Sequence, residues 1–354
     1  MGEHGPCYDA DGHVMETLEG LTAYGWEGSS HPTIDNMINR APRDPSWRSA
    51  VNERAFGGAF DVEGRLQDMD AEGIDVSVCF PSALMCVSDA DDVARGVAAS
   101  RVYNDWFAGE YHDPAPDRLV GVAVVSLADI PAAVAEAERA VTQLGAVGVM
   151  LPPYAGERHL DDPEVEPLWD KLEELGVPAG IHGGRSINFP HLRPNVQDPR
   201  GGSFKSNARF YAMVHPFHQM FAMADLALGG VLHRHPRLKV AFLEAGCGWM
   251  PTYIDRLDEA FESFDAETGG DLHIDRKPSE YLLSGNCWFS CEPGEPNLPL
   301  MVDALGQRQV VFASDYPHFD ASFPESVRKL AKAGLSPSVF AQVTGDNVRA
   351  LYGL

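Results

Sequence analysis

Five positions carry the side chains that hold transition metals: Asp11 and His13, two residues apart, then His182, Glu244 and Asp315. Imidazole nitrogens and carboxylate oxygens are the usual protein donors for zinc, iron and manganese, and an ion held by them can activate water or anchor an acidic substrate. His215 and His218 stand three apart, so on a helix they share one face. That spacing suits ligation and equally suits a surface histidine paired with a neighbour. Glu244 ends the apolar run from Leu238 to Leu243, where an isolated carboxylate is costly to bury without a partner.

Each of these residues has a strand behind it. Val310-Val311-Phe312-Ala313 reads as a strand buried on both faces, and it ends abruptly in Ser314-Asp315-Tyr316-Pro317-His318. A (β/α)8 barrel presents catalytic residues in this way, at the C-terminal tips of its strands. The first strand, Cys7 to Glu16, alternates so that Asp9, Asp11 and His13 fall on one face. The fifth, from Val177, delivers His182, and the sixth delivers Glu244. The seventh, Asn286 to Cys291, ends at Glu292, and the eighth spans Arg308 to Asp315.

Between these strands the pattern repeats as strand then helix. A helix from Val62 to Glu72 stops at Gly73, and a strand from Ile74 closes at Pro81. A helix over Asp89 to Tyr111 precedes a strand over Leu119 to Leu127; Pro131 opens a helix to Leu144, and Ala146 to Leu151 is a strand. Helices follow from Pro163 to Gly176, from Ala208 to about His233 and from Trp249 to Phe264, and Ser338 to Leu354 is an amphipathic closing segment. The expectation is one α/β domain over 1–354, a (β/α)8 TIM barrel, whose core needs about 250 residues and leaves the rest for rim insertions at 16–60 and 184–206. The first insertion carries Trp26, His31, Trp47 and Arg48, and the second Arg185, Arg193, Arg200 and Lys205. Trp26, Arg48 and Arg185 are the candidate substrate walls, the arginines for a substrate carboxylate.

Charge narrows the partners. With 27 Lys and Arg against 52 Asp and Glu, the net charge of −25 lacks the footprint needed for nucleic acid or an anionic membrane. The six cysteines form no CxxC pair and most sit in apolar runs, which reads as reduced, buried thiols. Without an apolar signal core or a membrane-length stretch, a cytoplasmic enzyme acting on a small molecule is expected.

Four stretches carry a resemblance: Asp9-Ala10-Asp11-Gly12-His13-Val14, Gly180-Ile181-His182-Gly183-Gly184, Leu238 to Gly246, and Ala313 to His318. The chain resembles the amidohydrolase-related family of metal-dependent barrels, which includes the aminocarboxymuconate semialdehyde and γ-resorcylate decarboxylases. The likeness extends over nearly the whole chain, including Lys277 to Tyr281 and Asn347 to Leu354. It implies that Asp11 and His13 are the strand-one metal ligands, His182 the strand-five ligand and Asp315 the strand-eight ligand. It also implies a homodimer, as relatives often form. Two departures stand out: Asp11 occupies a ligand position that is often His or Glu, and Glu244 stands where the decarboxylases place a catalytic histidine. No lysine ends strand four, so the bridging carbamylated lysine of binuclear relatives is absent.

The exchange at strand six leads to an expected reaction. Asp11, His13, His182, Glu244 and Asp315, with His215, His218 or His318 in reach, would form a carboxylate-rich pocket for two metals, iron before manganese or zinc. Such a site activates O2, as in a small hydroxylating branch that the chain resembles, and a di-iron monooxygenase is the first expectation. The alternative is a mononuclear decarboxylase or hydrolase. There Asp315 or Glu244 would act as base on a metal-bound water with a pKa near about 7, or His215 or His218 would deliver the proton of a decarboxylation.

Overall fold

The computed structural model describes residues 5–40, 51, 54–55, 57–156, 158–183, 208–268 and 272–354. Eight parallel strands follow one another in chain order: β1 (Tyr8–His13), β2 (Val76–Phe80), β3 (Leu119–Val124), β4 (Gly148–Leu151), β5 (Ala179–His182), β6 (Val240–Leu243), β7 (Cys287–Cys291) and β8 (Val310–Phe312). Main-chain bonds join the first to the last at the tips: Asp315 N–H donates to Asp11 O at 3.0 Å and His13 N–H to Tyr316 O at 2.5 Å. The barrel is thus closed by the residues expected to do chemistry. Its strands are almost wholly buried, so their apolar runs are continuous where a one-sided sheet would alternate.

Helices wrap the outside, and several start and stop on a physical signal. In α3 (Val62–Glu72) the Asp61 carboxylate accepts from Gly64 N–H, and Gly73 ends the helix at φ 79°, a left-handed position that glycine takes without steric cost. In α5 (Ile130–Leu144), Asp129 caps, a proline sits in the first turn and Gly145 stops the chain at φ 73°. α4 (Val93–Phe107) and α6 (Glu166–Leu175) bury one face each, and α7 (Ala208–Ala227) carries Pro216 within it. The last helix, Asn347–Tyr352, seals the strand N-termini side of the ring: Asn347 Nδ2 donates to Val310 O at 2.7 Å and Tyr352 Oη to Ala10 O at 2.9 Å.

Several bounds differ from the sequence expectation. The eighth strand ends at Phe312, short of Asp315, because Asp315 turns to φ 54° and leaves the extended region. The first insertion contains two helices, α1 (Leu18–Ala23) and α2 (Pro32–Arg40), with Leu21, Ile34 and Ile38 buried in the main core. Asp9 does not share the site face with Asp11 and His13, since the β1–β2 ladder slips between Asp9 and Gly12. Its carboxylate instead accepts from Ser314 N–H (2.8 Å), Ser314 Oγ (2.7 Å) and Ser77 Oγ (3.1 Å). The whole second insertion, with Arg185, and the part of the first that carries Arg48 lie outside the described residues.

Candidate metal centre

At the C-terminal mouth of the barrel, β1 and β5 bring three fully buried side chains together. His13 Nε2 lies 3.5 Å from Asp11 Oδ1, and His182 Nε2 lies 3.5 Å from Asp11 Oδ2. Asp315 adds an oxygen 3.5 Å from His13 Nε2. Donors around one tetrahedral ion at about 2.1 Å stand about 3.4 Å apart, which is the spacing found here.

Hydrogen bonding supports the same conclusion. Both Asp11 oxygens, His13 Nε2 and both His182 nitrogens are buried without a hydrogen-bond partner among the described residues. Native proteins rarely orphan several polar atoms at one point, and a cation satisfies the Asp11 oxygens, His13 Nε2 and His182 Nε2, while His182 Nδ1 faces Glu244 Oε2 at 3.4 Å. His13 Nδ1 faces Pro81 O at 2.8 Å, which makes that nitrogen the N–H donor and leaves the Nε2 lone pair directed into the site. Burial, reinforced by His318 and His182, holds His13 well below the usual histidine range, so it is the neutral ring a metal requires. The donor set fits a first-row divalent metal.

His318 has a different place. Its Nδ1 sits 2.6 Å from Asp315 Oδ1 and its Nε2 3.3 Å from Ser82 Oγ, so both nitrogens are occupied and the ring orients Asp315. Burial disfavours its protonation, yet the Asp315 carboxylate prevails and raises it to about 10.

Glu244 follows β6 at φ 52°, so it and Asp315 are both strand-tip carboxylates held left-handed, a conformation that costs side-chain-bearing residues on the order of 1 kcal/mol or more. The turn points Glu244 at three imidazoles: His215 Nδ1 at 3.3 Å, His182 Nδ1 at 3.4 Å and His318 Nδ1 at 3.8 Å. Burial opposes its charge, but His215 and His182 hold the carboxyl below its ordinary range. His215 is raised in turn, burial opposing and Glu244 favouring its proton. Glu244 thus lies at ion-pair distance from histidines, and its Oε2, like the Asp11 oxygens, has no hydrogen-bond partner among the described residues. The two candidate ligand groups at the mouth, Asp11–His13–His182 and His13–Asp315–His318, share His13.

Of the two helix histidines, His215 lines a cleft of about 360 Å³ together with Asp11, Glu244, Glu292, Asp315 and Asp320. His218 is fully buried behind it, with Nε2 3.2 Å from Tyr154 Oη, and burial plus His215 lowers it to about 3. Trp26, an expected substrate wall, packs on the main core and is not among the cleft-lining residues.

Sequence reasoning passed over a layer behind the ligands. Arg65, 2% exposed on α3, donates from Nη1 to His13 O at 2.9 Å and from Nη2 to Ser77 Oγ at 2.9 Å, and it stacks 4.1 Å from the Tyr316 ring. Gly12 is required beneath it, since a Cβ there would lie 2.6 Å from Arg65 Nη2. An arginine in the helix was the available signal, but its partners, His13 O, Ser77 Oγ and the Tyr316 ring, come from other segments and leave no trace in local sequence.

Comparison with known proteins bears on the reaction. Among curated proteins, the 2-amino-3-carboxymuconate-6-semialdehyde decarboxylase of Dictyostelium discoideum is 25% identical over 297 residues, 82% of this chain and 74% of its own length. A γ-resorcylate decarboxylase of Rhodococcus jostii (strain RHA1) is 26% identical over 267 residues, 72% and 76% of the two chains. Among solved structures, a 5-carboxyvanillate decarboxylase variant of Novosphingobium aromaticivorans, crystallised with manganese and 3-methoxy-4-hydroxy-5-nitrobenzoic acid, matches with a TM-score of 0.79 at 20% identity over 100% of this chain and 99% of its own.

These relatives overturn the expected di-iron monooxygenase: they are decarboxylases, and nothing in them or in the candidate ligand groups supports two irons. The expectation of a metal-dependent enzyme stands. The amidohydrolase family profile matches residues 8–354, from the first residue of β1 through the last helix to Leu354, and the chain belongs to the amidohydrolase family.

Proposed function

We propose that this protein is a non-oxidative decarboxylase of a small, hydroxylated carboxylic acid, dependent on one divalent metal held by Asp11, His13, His182 and Asp315. The observation that carries the reading is the set of buried, orphaned donor atoms at 3.5 Å spacing, next to a cleft that contains an acid–base pair. The relatives named above act on carboxylated substrates, which favours this class over hydrolysis.

When bound, the metal supplies a Lewis acid that anchors the substrate carboxylate and an adjacent hydroxyl oxygen. In decarboxylation the bond between carbon and the carboxylate carbon breaks heterolytically, CO2 departs, and the electron pair stays on the substrate carbon, where a proton replaces it. Electrons balance without oxidant, and one proton must come from the protein. His215 lines the cleft, and Glu244 at 3.3 Å favours its proton against the opposing burial, so His215 is the proton donor and Glu244 restores its proton affinity after each transfer. His318 holds Asp315 by its 2.6 Å contact and so fixes one wall of the site. Arg48 and Arg185, which lie outside the described residues, remain the proposed partners of the substrate carboxylate.

The test is CO2 release from a panel of hydroxybenzoates and carboxymuconate-type acids by metal-loaded protein, with oxygen present and absent. Equal turnover in both atmospheres, one ion per chain and a product one carboxyl shorter are expected. Substrate loss that stops without oxygen, or product that retains every carbon, would refute the reading.

A further inference from the structure

Glu16 stands three residues beyond His13, and its side chain is 2% exposed, a depth at which an ionisable group needs a reason to be present. The reason is a turn of main chain. Oε1 accepts from Ser82 N–H at 3.1 Å, Ala83 N–H at 3.1 Å and Leu84 N–H at 3.2 Å, while Oε2 accepts from Ser82 N–H at 3.3 Å and Ala83 N–H at 2.9 Å. One carboxylate thus satisfies three successive donors that no strand or helix would otherwise pair.

The turn it holds, residues 81–84, touches the metal centre twice. Its Pro81 carbonyl lies 2.8 Å from His13 Nδ1 and sets that ring's tautomer. Its Ser82 hydroxyl lies 3.3 Å from His318 Nε2, on the ring whose other nitrogen grips Asp315. The two imidazoles stack with centroids 4.1 Å apart, so a shift of the turn moves both. We propose that Glu16 is a positioning residue for the metal site: its carboxylate fixes the 81–84 turn, which in turn orients His13 and, through His318, Asp315.

This inference rests on the single-metal reading above. It goes further in assigning a buried carboxylate, itself no ligand, to the affinity of the site.

Glu16→Gln keeps the shape and replaces one accepting oxygen by an N–H2 group that meets main-chain N–H donors. Manganese or zinc affinity, read by competition with a chromophoric chelator, is expected to fall about tenfold or more, the usual effect of losing an outer partner of a ligating histidine. In the metal-free protein, ring 15N shifts should show His13 losing its fixed Nδ1–H tautomer, a change that a merely structural loss of stability does not produce. Ser82→Ala touches only the His318 arm and is expected to weaken binding by a smaller factor, about threefold; it decides the matter if Glu16→Gln does not fold. Unchanged affinity and unchanged tautomers in the folded variants would overturn the proposal. If the unsubstituted protein binds no metal, the single-metal reading fails by itself, and the 15N shifts still report whether Glu16 orients the rings.

Discussion

Replacing Asp11 by Asn separates the metal site from the fold in one measurement. Asp11 is 0% exposed, and its two oxygens face His13 and His182 at 3.5 Å each with no hydrogen-bond donor among the described residues. Its charge therefore serves the ion and, without the ion, only a loose pairing with His182, whose proton is opposed by burial and favoured by Asp11 and Glu244. Asn keeps the volume but presents an N–H2 group to one of two imidazoles, removing a ligand outright, so affinity should fall by at least the roughly 100-fold that an outer-partner loss can reach. At a metal concentration 100 times the original Kd, binding stabilises the native protein by about 2.7 kcal/mol, and after a 100-fold loss by about 0.4 kcal/mol. At roughly 1.4 °C per kcal/mol for a chain of this size, the metal-induced rise in Tm should shrink from about 4 °C to about 0.6 °C. In excess chelator the two proteins should agree within about 1 kcal/mol, since a poorly satisfied buried charge is exchanged for a poorly satisfied amide. Thermal scans with manganese and with chelator, on both proteins, supply all four values. A variant that loses as much stability in chelator as in manganese would show that Asp11 is part of the packing and that the site is not built around an ion.

Three other outcomes are expected. Glu244→Gln should keep about one metal per chain while CO2 release falls about 10²- to 10⁴-fold, because it removes the charge that holds the His215 proton; a drop in bound metal by elemental analysis would return Glu244 to the ligand shell. His218, lowered to about 3 by burial and by His215, stays neutral in the folded chain while the unfolded chain takes up a proton below about 6.5, so its contribution is fully present above that pH and is lost as pH falls toward 3, at up to about 1.4 kcal/mol per unit. Urea midpoints of the chelated protein at pH 7, 6 and 5 should fall less steeply in His218→Gln, and equal slopes would refute the assignment. Asn104→Ala removes the amide that donates to Val124 O at 2.9 Å and accepts from Val124 N–H at 2.8 Å at the end of β3, which should cost roughly 2 to 4 kcal/mol in urea unfolding.

The ligand residues were legible because barrel topology makes each strand's last residue converge with the others, and apolar runs that stop on His182, Glu244 or Asp315 record that in one dimension. Strand ends were less legible, since Asp315 leaves the ladder by adopting φ 54°, a choice made by the site and not by local propensity. The first insertion looked like loop because α2 offers only Ile34, Met37 and Ile38 as an apolar stripe within a polar stretch. Helical spacing put His215 and His218 on one face but could not say which reaches the cleft; that depends on how α7 packs on β5, where Gly183 lets both rings approach its backbone. Glu16 was invisible because it acts on main-chain atoms, which are the same at every position of a sequence, and Arg65 because its partners lie on distant segments.

The strand-six exchange shows why residue type at a position misleads about reaction. A glutamate where decarboxylases carry a histidine first suggests a lost proton donor and a gained metal ligand. In the folded chain the imidazole is supplied from the neighbouring helix: His215 reaches to 3.3 Å of Glu244, and the pair lines the same cleft as Asp11 and Asp315. What a decarboxylase needs at that point is a proton on a group that can reach the substrate carbon, and a carboxylate–imidazole pair holds one at neutral pH more securely than a lone buried imidazole, whose burial alone would discharge it. Under the proposed decarboxylation the exchange would move the proton's carrier from strand to helix, with Glu244 held within 3.8 Å of three imidazoles.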